Sequence, residues 1–199
     1  MLTAEQAKTE FKKHGGILRT REILAAGVHP RTLYSLVNSG QLEQMSRGLY
    51  RLTKSPALKD PDLVTVAKRI PNGVVCLISA LAIHELTTQI PHAVHLALPR
   101  TARSPILGHP PLQVYHLSKS VFEMGIETKD YGGIPVRVYC AEKTLADCFK
   151  HRNKIGLDVF LEALRNYTKR RGARLQKVLE YARVCRVDKL IRPYLEALA

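Results

Sequence analysis

Five residues between positions 127 and 147 are of the types that nuclease and phosphoryl-transfer sites use. Glu127-x-Lys129 matches a minimal E-x-K, and Glu142-Lys143-Thr144 with Asp147 adds two carboxylates and a second lysine. Such sites hold a metal between carboxylates and set cationic groups against developing charge. The set is incomplete, because no suitably placed aspartate strand precedes the E-x-K and a second metal ligand is missing. Glu142 falls at the start of an expected helix, where a carboxylate favours the dipole, and Asp147 follows about one turn on. His84-Glu85 falls in an expected helix, where packing or capping accounts for both. The chain has no G-x-x-x-x-G-K-[ST] loop, nucleophile elbow or H-E-x-x-H. Cys76, Cys140, Cys148 and Cys185 show no C-x-x-C spacing, and His92 and His95 flank an extended segment with no nearby cysteine or carboxylate. The expectation is no metal, no cofactor and no enzyme, with the cysteines as small buried apolar residues.

A different chemistry fits the chain better. Thirty-one Lys and Arg stand against 17 Asp and Glu, a net charge of +14. Residues 1–52 carry eight basic and four acidic residues, and residues 141–199 carry fourteen and seven. An excess of this size favours a polyanion over an acidic protein partner. Arg31 and Asn38 have side chains that pair bidentately with guanine and adenine edges. The elements that must position them are legible nearby. Thr20 is a candidate N-cap for a helix from Arg21 to Ala26, and Gly27 closes it. His29-Pro30 restarts a helix, with Pro at the first helical position. Leu33, Leu36 and Val37 then form one apolar face. Arg31, Thr32, Ser35 and Asn38 lie opposite, with Tyr34 at the border. Gly40 ends this helix. Gln41 to Ser46, the turn Arg47-Gly48 and Leu49 to Leu52 read as a hairpin. Two short helices and a basic-tipped hairpin are the signature of a winged helix-turn-helix, whose second helix enters the major groove. The expected DNA-binding residues are Arg21, Arg31, Thr32, Tyr34, Ser35, Asn38, Arg47 and Arg51. Lys8, Lys12 and Lys13 of the first helix are additional candidates for the backbone.

The remaining pattern gives an α+β chain. Thr3 and Gln6 form a capping box on a first helix that runs to about His14. Lys54 to Pro61 reads as a linker, so the expected domains are 1–54, a linker 55–61, and 62–199. Asp62 to Ile70 is a short helix. Val74 to Ile78 is a strand or a helix start, and Ser79 caps a helix from Ala80 to Leu86. Val94 to Leu98, Leu112 to Leu117, Phe122 to Lys129 and Ile134 to Cys140 read as strands of a mainly antiparallel sheet. Helices follow at Ala141 to Lys150, Asp158 to Tyr167, Arg174 to Cys185 and Val187 to Leu198. Lys169, Arg170, Arg171, Arg174 and Lys177 form the densest basic cluster, either a solvated face or a second DNA-backbone contact. The amphipathic N-terminus lacks a signal-peptide h-region and no apolar run approaches a membrane span, so the expected location is cytoplasmic.

Taken together these segments resemble the AbiEi family of antitoxins and transcriptional regulators of bacterial type IV toxin–antitoxin systems. The resemblance rests on Thr20 to Leu52, on ISALAIHELTTQIPHAVHLALPR (Ile78 to Arg100), and on VRVYCAEKTLADCFKHRNKIGLDVFLEAL (Val136 to Leu164). It implies an autorepressor whose N-terminal winged helix binds promoter inverted repeats on double-stranded DNA, as a monomer or homodimer. It further implies a C-terminal domain that counteracts a nucleotidyltransferase-like toxin without a stable complex. Carried over, the DNA-reading residues are Arg31, Thr32, Tyr34, Ser35 and Asn38, with Arg47 on the wing. The alternatives from other classes are a nucleic-acid-processing enzyme around Glu127, Lys129, Glu142 and Asp147, and a protein-interaction module.

Overall fold

A computed structural model describes residues 2–197; the expected helix end at Leu198 lies outside the described residues. The chain divides into two compact units. The first comprises Met1–Pro71, Gly108–Pro110 and Lys129–Val136, and the second Asn72–Leu107, Pro111–Thr128 and Arg137–Ala199.

In the first unit, α1 (Ala4–Lys13) starts at the expected capping box. The Gln6 amide donates to Thr3 Oγ1 at 3.3 Å, and the Thr3 amide donates to Gln6 Oε1 at 2.8 Å. Then come β1 (Ile17–Arg19), α2 (Thr20–Ala25), α3 (Pro30–Asn38), β2 (Leu42–Ser46), β3 (Leu49–Leu52) and α4 (Pro61–Arg69). The strands form an antiparallel sheet in the order β1-β3-β2. Ala7 and Phe11 of α1, Ile23 of α2, Leu33 and Leu36 of α3 and Leu42, Tyr50 and Leu52 of the hairpin share one core. This is the burial that the apolar spacing of each short helix demands, since helices of this length gain most of their stability from packing.

One expectation changes here, and two further features are added. Arg19, not Thr20, is the N-cap of α2: Glu22 Oε2 accepts the Arg19 amide at 2.8 Å, while the Thr20 amide donates to Gly48 O at 2.9 Å. Ile17 and Leu18 belong to a third strand, paired with Arg51 and Tyr50. The first unit also extends past position 54 to Pro71, because Val64 of α4 is buried with Ile17, Leu49 and Ile134, and Leu58 and Ala67 pack on them. The Pro-rich composition of residues 54–61 hid this anchoring.

The second unit and the strand connections around it contain β4 (Val74–Val75), α5 (Leu77–Ile83), β5 (Val94–Pro99), β6 (Leu112–Leu117), α6 (Lys119–Phe122), β7 (Ile126–Asp130) and β8 (Pro135–Tyr139). Helices α7 (Ala141–Lys150), α8 (Arg152–Ile155), α9 (Leu157–Thr168), α10 (Leu175–Val184) and α11 (Asp188–Glu196) follow. The sheet order is β6-β5-β4-β8-β7. It is mixed, not mainly antiparallel: β4 runs antiparallel to β5 and parallel to β8, and β5 runs parallel to β6. The connection 100–111 between β5 and β6 reaches the length a parallel crossover needs. Phe122 ends a short helix instead of opening a strand. Ser79 lies inside α5, whose N-cap is Cys76; the Ser79 hydroxyl accepts the His95 amide at 3.0 Å. Helix α7 is the centre of this unit, with α5, α9 and α10 packed around it. No helix among the described residues is long and apolar enough to cross a membrane.

Candidate nucleic-acid interface

Helix α3 begins at His29, whose Nδ1 accepts the Arg31 amide at 3.1 Å, with Pro30 at the first position. This fixes the helix start and leaves the Arg31 side chain exposed. Leu33 and Leu36 point into the core, so the helical period turns Arg31, Tyr34, Ser35 and Asn38 outward; Thr32 is half-buried. Tyr34 is 60% exposed, which makes it a surface aromatic and not part of the core. An exposed stripe of Arg, Tyr, Ser and Asn offers donors, acceptors and a ring, the set that base edges and phosphates accept. Arg21 on α2 is exposed as well. The turn Ala26–His29 between the helices needs Gly27 at φ +87°.

The β2–β3 hairpin turns at Arg47-Gly48, with Gly48 at φ +73°. Arg47 is exposed. Its carbonyl accepts a hydrogen bond from Arg69 Nη1 of α4 at 2.7 Å. Arg69 was not among the residues expected from the sequence, where only its place at a helix end was visible. A Cβ at Gly48 would sit 3.2 Å from Thr20 Oγ1 in a left-handed backbone. Gly48→Ala is therefore expected to cost about 1–2 kcal/mol of stability, read as a lowered urea midpoint. An unchanged midpoint would mean the turn is free to rearrange.

Arg51 is engaged within the first unit. Its side chain is 13% exposed and pairs with Glu43 at 2.9 Å across the hairpin. Its Nη2 also donates to the backbone carbonyls of Ser55 and Pro56. It ties the hairpin to the segment that follows. Lys8 bonds to Gln41 Oε1 and pairs with Glu5, and Lys13 pairs with Glu10, whereas Lys12 is exposed.

In the second unit the carboxylates of the possible enzyme are already engaged. Asp147 is held by Lys143 Nζ, 2.5 Å from both its oxygens, and accepts from Cys185 Sγ at 3.4 Å. Glu142 Oε1 accepts from Tyr167 Oη at 3.0 Å and from Arg174 Nη2 at 2.9 Å. Five residues apart on one helix, the two carboxylates leave it about 140° apart. Glu127 and Lys129 are exposed on β7. Among the described residues no group of three His, Cys, Asp or Glu side chains could hold a metal ion. All four cysteines are buried, and burial pushes the Cys76 and Cys148 thiols well up. Thiols in such surroundings are inert.

The basic cluster divides. Arg174 serves Glu142, and Arg170 Nη2 donates to the carbonyls of His84 and Glu85, closing the turn after α5. Lys169 and Arg171 are exposed, and Lys177 is half-buried. Burial pushes the Glu142 carboxyl up, but hydrogen bonds from its own amide, Tyr167 and Arg174 outweigh it and hold it below the ordinary 4.5. A depressed folded-state value gives stability that is present above pH 4.5 and lost as the pH falls through the folded value. Glu142→Gln is expected to flatten that acid limb of the stability profile. An acid limb of unchanged steepness, measured by urea midpoints between pH 6 and 3, would assign it to other carboxylates.

The fold and the exposed surfaces define a mixed α+β protein with a basic unit of four helices and a three-stranded sheet and a larger sheet-and-helix unit. This arrangement is similar to the crystal structure of the RV2827C protein from Mycobacterium tuberculosis. The TM-score is 0.52, over 90% of this chain and 76% of that one, at 15% identity. At that identity the likeness is one of fold. No curated protein matches the chain. The model of the family described as transcriptional regulator, AbiEi antitoxin matches residues 5–53, the segment from α1 through β3. The family that the sequence resembles is thus the family whose model the chain matches.

Proposed function

We propose that this protein is a DNA-binding transcriptional repressor of its own promoter and the antitoxin of a type IV toxin–antitoxin pair. The first unit is read as a winged helix-turn-helix, with α2 and α3 as the helix pair, α3 in the major groove and the β2–β3 hairpin as the wing. The observation that carries the reading is the exposed stripe Arg31, Tyr34, Ser35 and Asn38 on α3, within the segment matched by the AbiEi family model. Arg31 reads guanine, Asn38 reads adenine, and Thr32, Tyr34 and Ser35 add base or phosphate contacts. Arg21 and Arg47 meet the backbone. The partners are promoter inverted repeats on double-stranded DNA, bound by a monomer or homodimer, and a nucleotidyltransferase-like toxin with which no stable complex forms. The work is done in the cytoplasm. Lys169, Arg171 and Lys177, the rest of the basic cluster at 169–177, supply a further backbone contact from the second unit.

The test is a gel shift on the duplex upstream of this protein's own gene, beside a scrambled duplex, at two salt concentrations. Preferential binding to the native sequence at both supports the reading. Equal, salt-sensitive binding to both duplexes reduces the first unit to a general basic surface, and the proposal of a repressor falls.

A further inference from the structure

The Arg47-Gly48 turn is held from two sides within the first unit. The Gly48 carbonyl accepts the Thr20 amide at 2.9 Å, and the Arg47 carbonyl accepts Arg69 Nη1 at 2.7 Å. Both carbonyls of the two-residue turn are therefore tied back to helices, Thr20 opening α2 and Arg69 ending α4. Helix α4 is itself fixed by the burial of Val64 beside Ile17 and Leu49, and Lys68 lies within electrostatic reach of Glu22 on α2. With the backbone so restrained, what remains free at the tip is the exposed Arg47 side chain.

We propose that Arg69 is a positioning residue for DNA binding: it fixes the hairpin turn so that Arg47 is presented to a backbone phosphate. The inference rests on the DNA-binding reading of the first unit. A charge-assisted bond from a guanidinium to a neutral carbonyl is stronger than a neutral one and directional. A turn ordered before binding loses less entropy on contact with the duplex. Arginine suits the place because one N–H occupies the carbonyl while the rest of the planar fork stays hydrated.

The experiment measures affinity for the promoter duplex for Arg69→Ala and Arg69→Lys, each in the native and the Arg47→Ala background, with amide exchange at Thr20 as a DNA-free readout. Arg69→Ala is expected to weaken binding about five- to tenfold in the native background and not at all once Arg47 is gone. Arg69→Lys keeps a donor and recovers part of the loss. The Thr20 amide, bonded to the turn, exchanges faster in Arg69→Ala. Circular dichroism at the binding temperature verifies that each variant is folded, and the lysine variant carries the comparison if the alanine variant is not. An equal loss in both backgrounds overturns the inference, since Arg69 would then act on DNA directly. So does unchanged affinity, or an unmoved Thr20 amide. If the native chain binds no duplex, the reading of function fails and takes the inference with it; if it binds and Arg69→Ala does not weaken it, the inference alone fails.

Discussion

Replacing Lys143 by methionine is expected to destabilise the protein by about 3–5 kcal/mol, the cost of leaving one charge of a buried pair uncompensated. Lys143 is wholly buried, and its ammonium touches both oxygens of Asp147 and lies 4.6 Å from the Tyr139 ring centroid. Once the ammonium is removed, the weak Cys185 thiol is the one hydrogen-bond donor left to the Asp147 carboxylate among the described residues. The buried Cys76 and Cys148 lie within electrostatic reach of Asp147, which is itself buried. Total stabilities of single domains are about 5–15 kcal/mol, so the single variant loses a large share of its margin. The double variant Lys143→Met/Asp147→Leu is the control. Replacing both charges by apolar groups of similar volume is often neutral or better, so the double variant should recover most of the loss. Urea unfolding monitored by near-UV circular dichroism reads both. A single variant within 1 kcal/mol of the native chain would show that the site relaxes and admits water. A double variant as unstable as the single would show that shape, not charge, was lost.

This pair marks where sequence reading stops. Lys143 and Asp147 are four apart on a helix, the spacing of an ordinary solvated ion pair, and Glu142 at the helix start reads as a dipole-favoured surface residue. Nothing local distinguishes that case from a helix covered on all sides. Residues 142–149 are all buried because α5, α9 and α10 surround α7, and those contacts come from segments up to about 70 residues away. The direction of the strands was hidden for the same reason. Alternation identifies β5 and β6 as strands, but their parallel pairing is set by how the chain returns through residues 100–111. The three-residue β1 was missed because its strand character exists only through pairing with β3. Elements whose signals are local were legible: the Thr3–Gln6 box, the Pro30 start, the Gly27 and Gly48 turns, and the polar stripe on α3. Arg51 shows the limit on residue roles, since a basic residue beside a hairpin tip reads alike whether it faces solvent or, as here, binds Glu43 and two carbonyls. Arg69 was invisible in the converse sense: its contact with the Arg47 carbonyl joins residues 22 positions apart.

Arg31→Ala is expected to weaken binding to the promoter duplex by about 1–3 kcal/mol, roughly 5- to 150-fold, and to relax specificity at one guanine. The side chain is exposed at the N-terminal end of α3, the end that reaches base edges in helix-turn-helix docking. The His29 Nδ1 bond to the Arg31 amide holds the backbone in place whatever the side chain, so the loss is one of contact and not of helix start. Arg47→Ala should differ in kind. A phosphate contact carries no sequence information, so binding weakens alike on native and scrambled duplexes and the salt dependence falls by about one counterion. Arg31→Lys separates the two cases. It keeps the charge and loses the bidentate fork, so it should retain the salt slope of the native chain while losing most of the preference for the native sequence. Gel shifts or fluorescence anisotropy at several salt concentrations read all three variants on both duplexes. If Arg31→Lys keeps full preference, Arg31 is only a charge on the duplex, and sequence reading passes to Tyr34, Ser35 and Asn38 farther along the same exposed stripe.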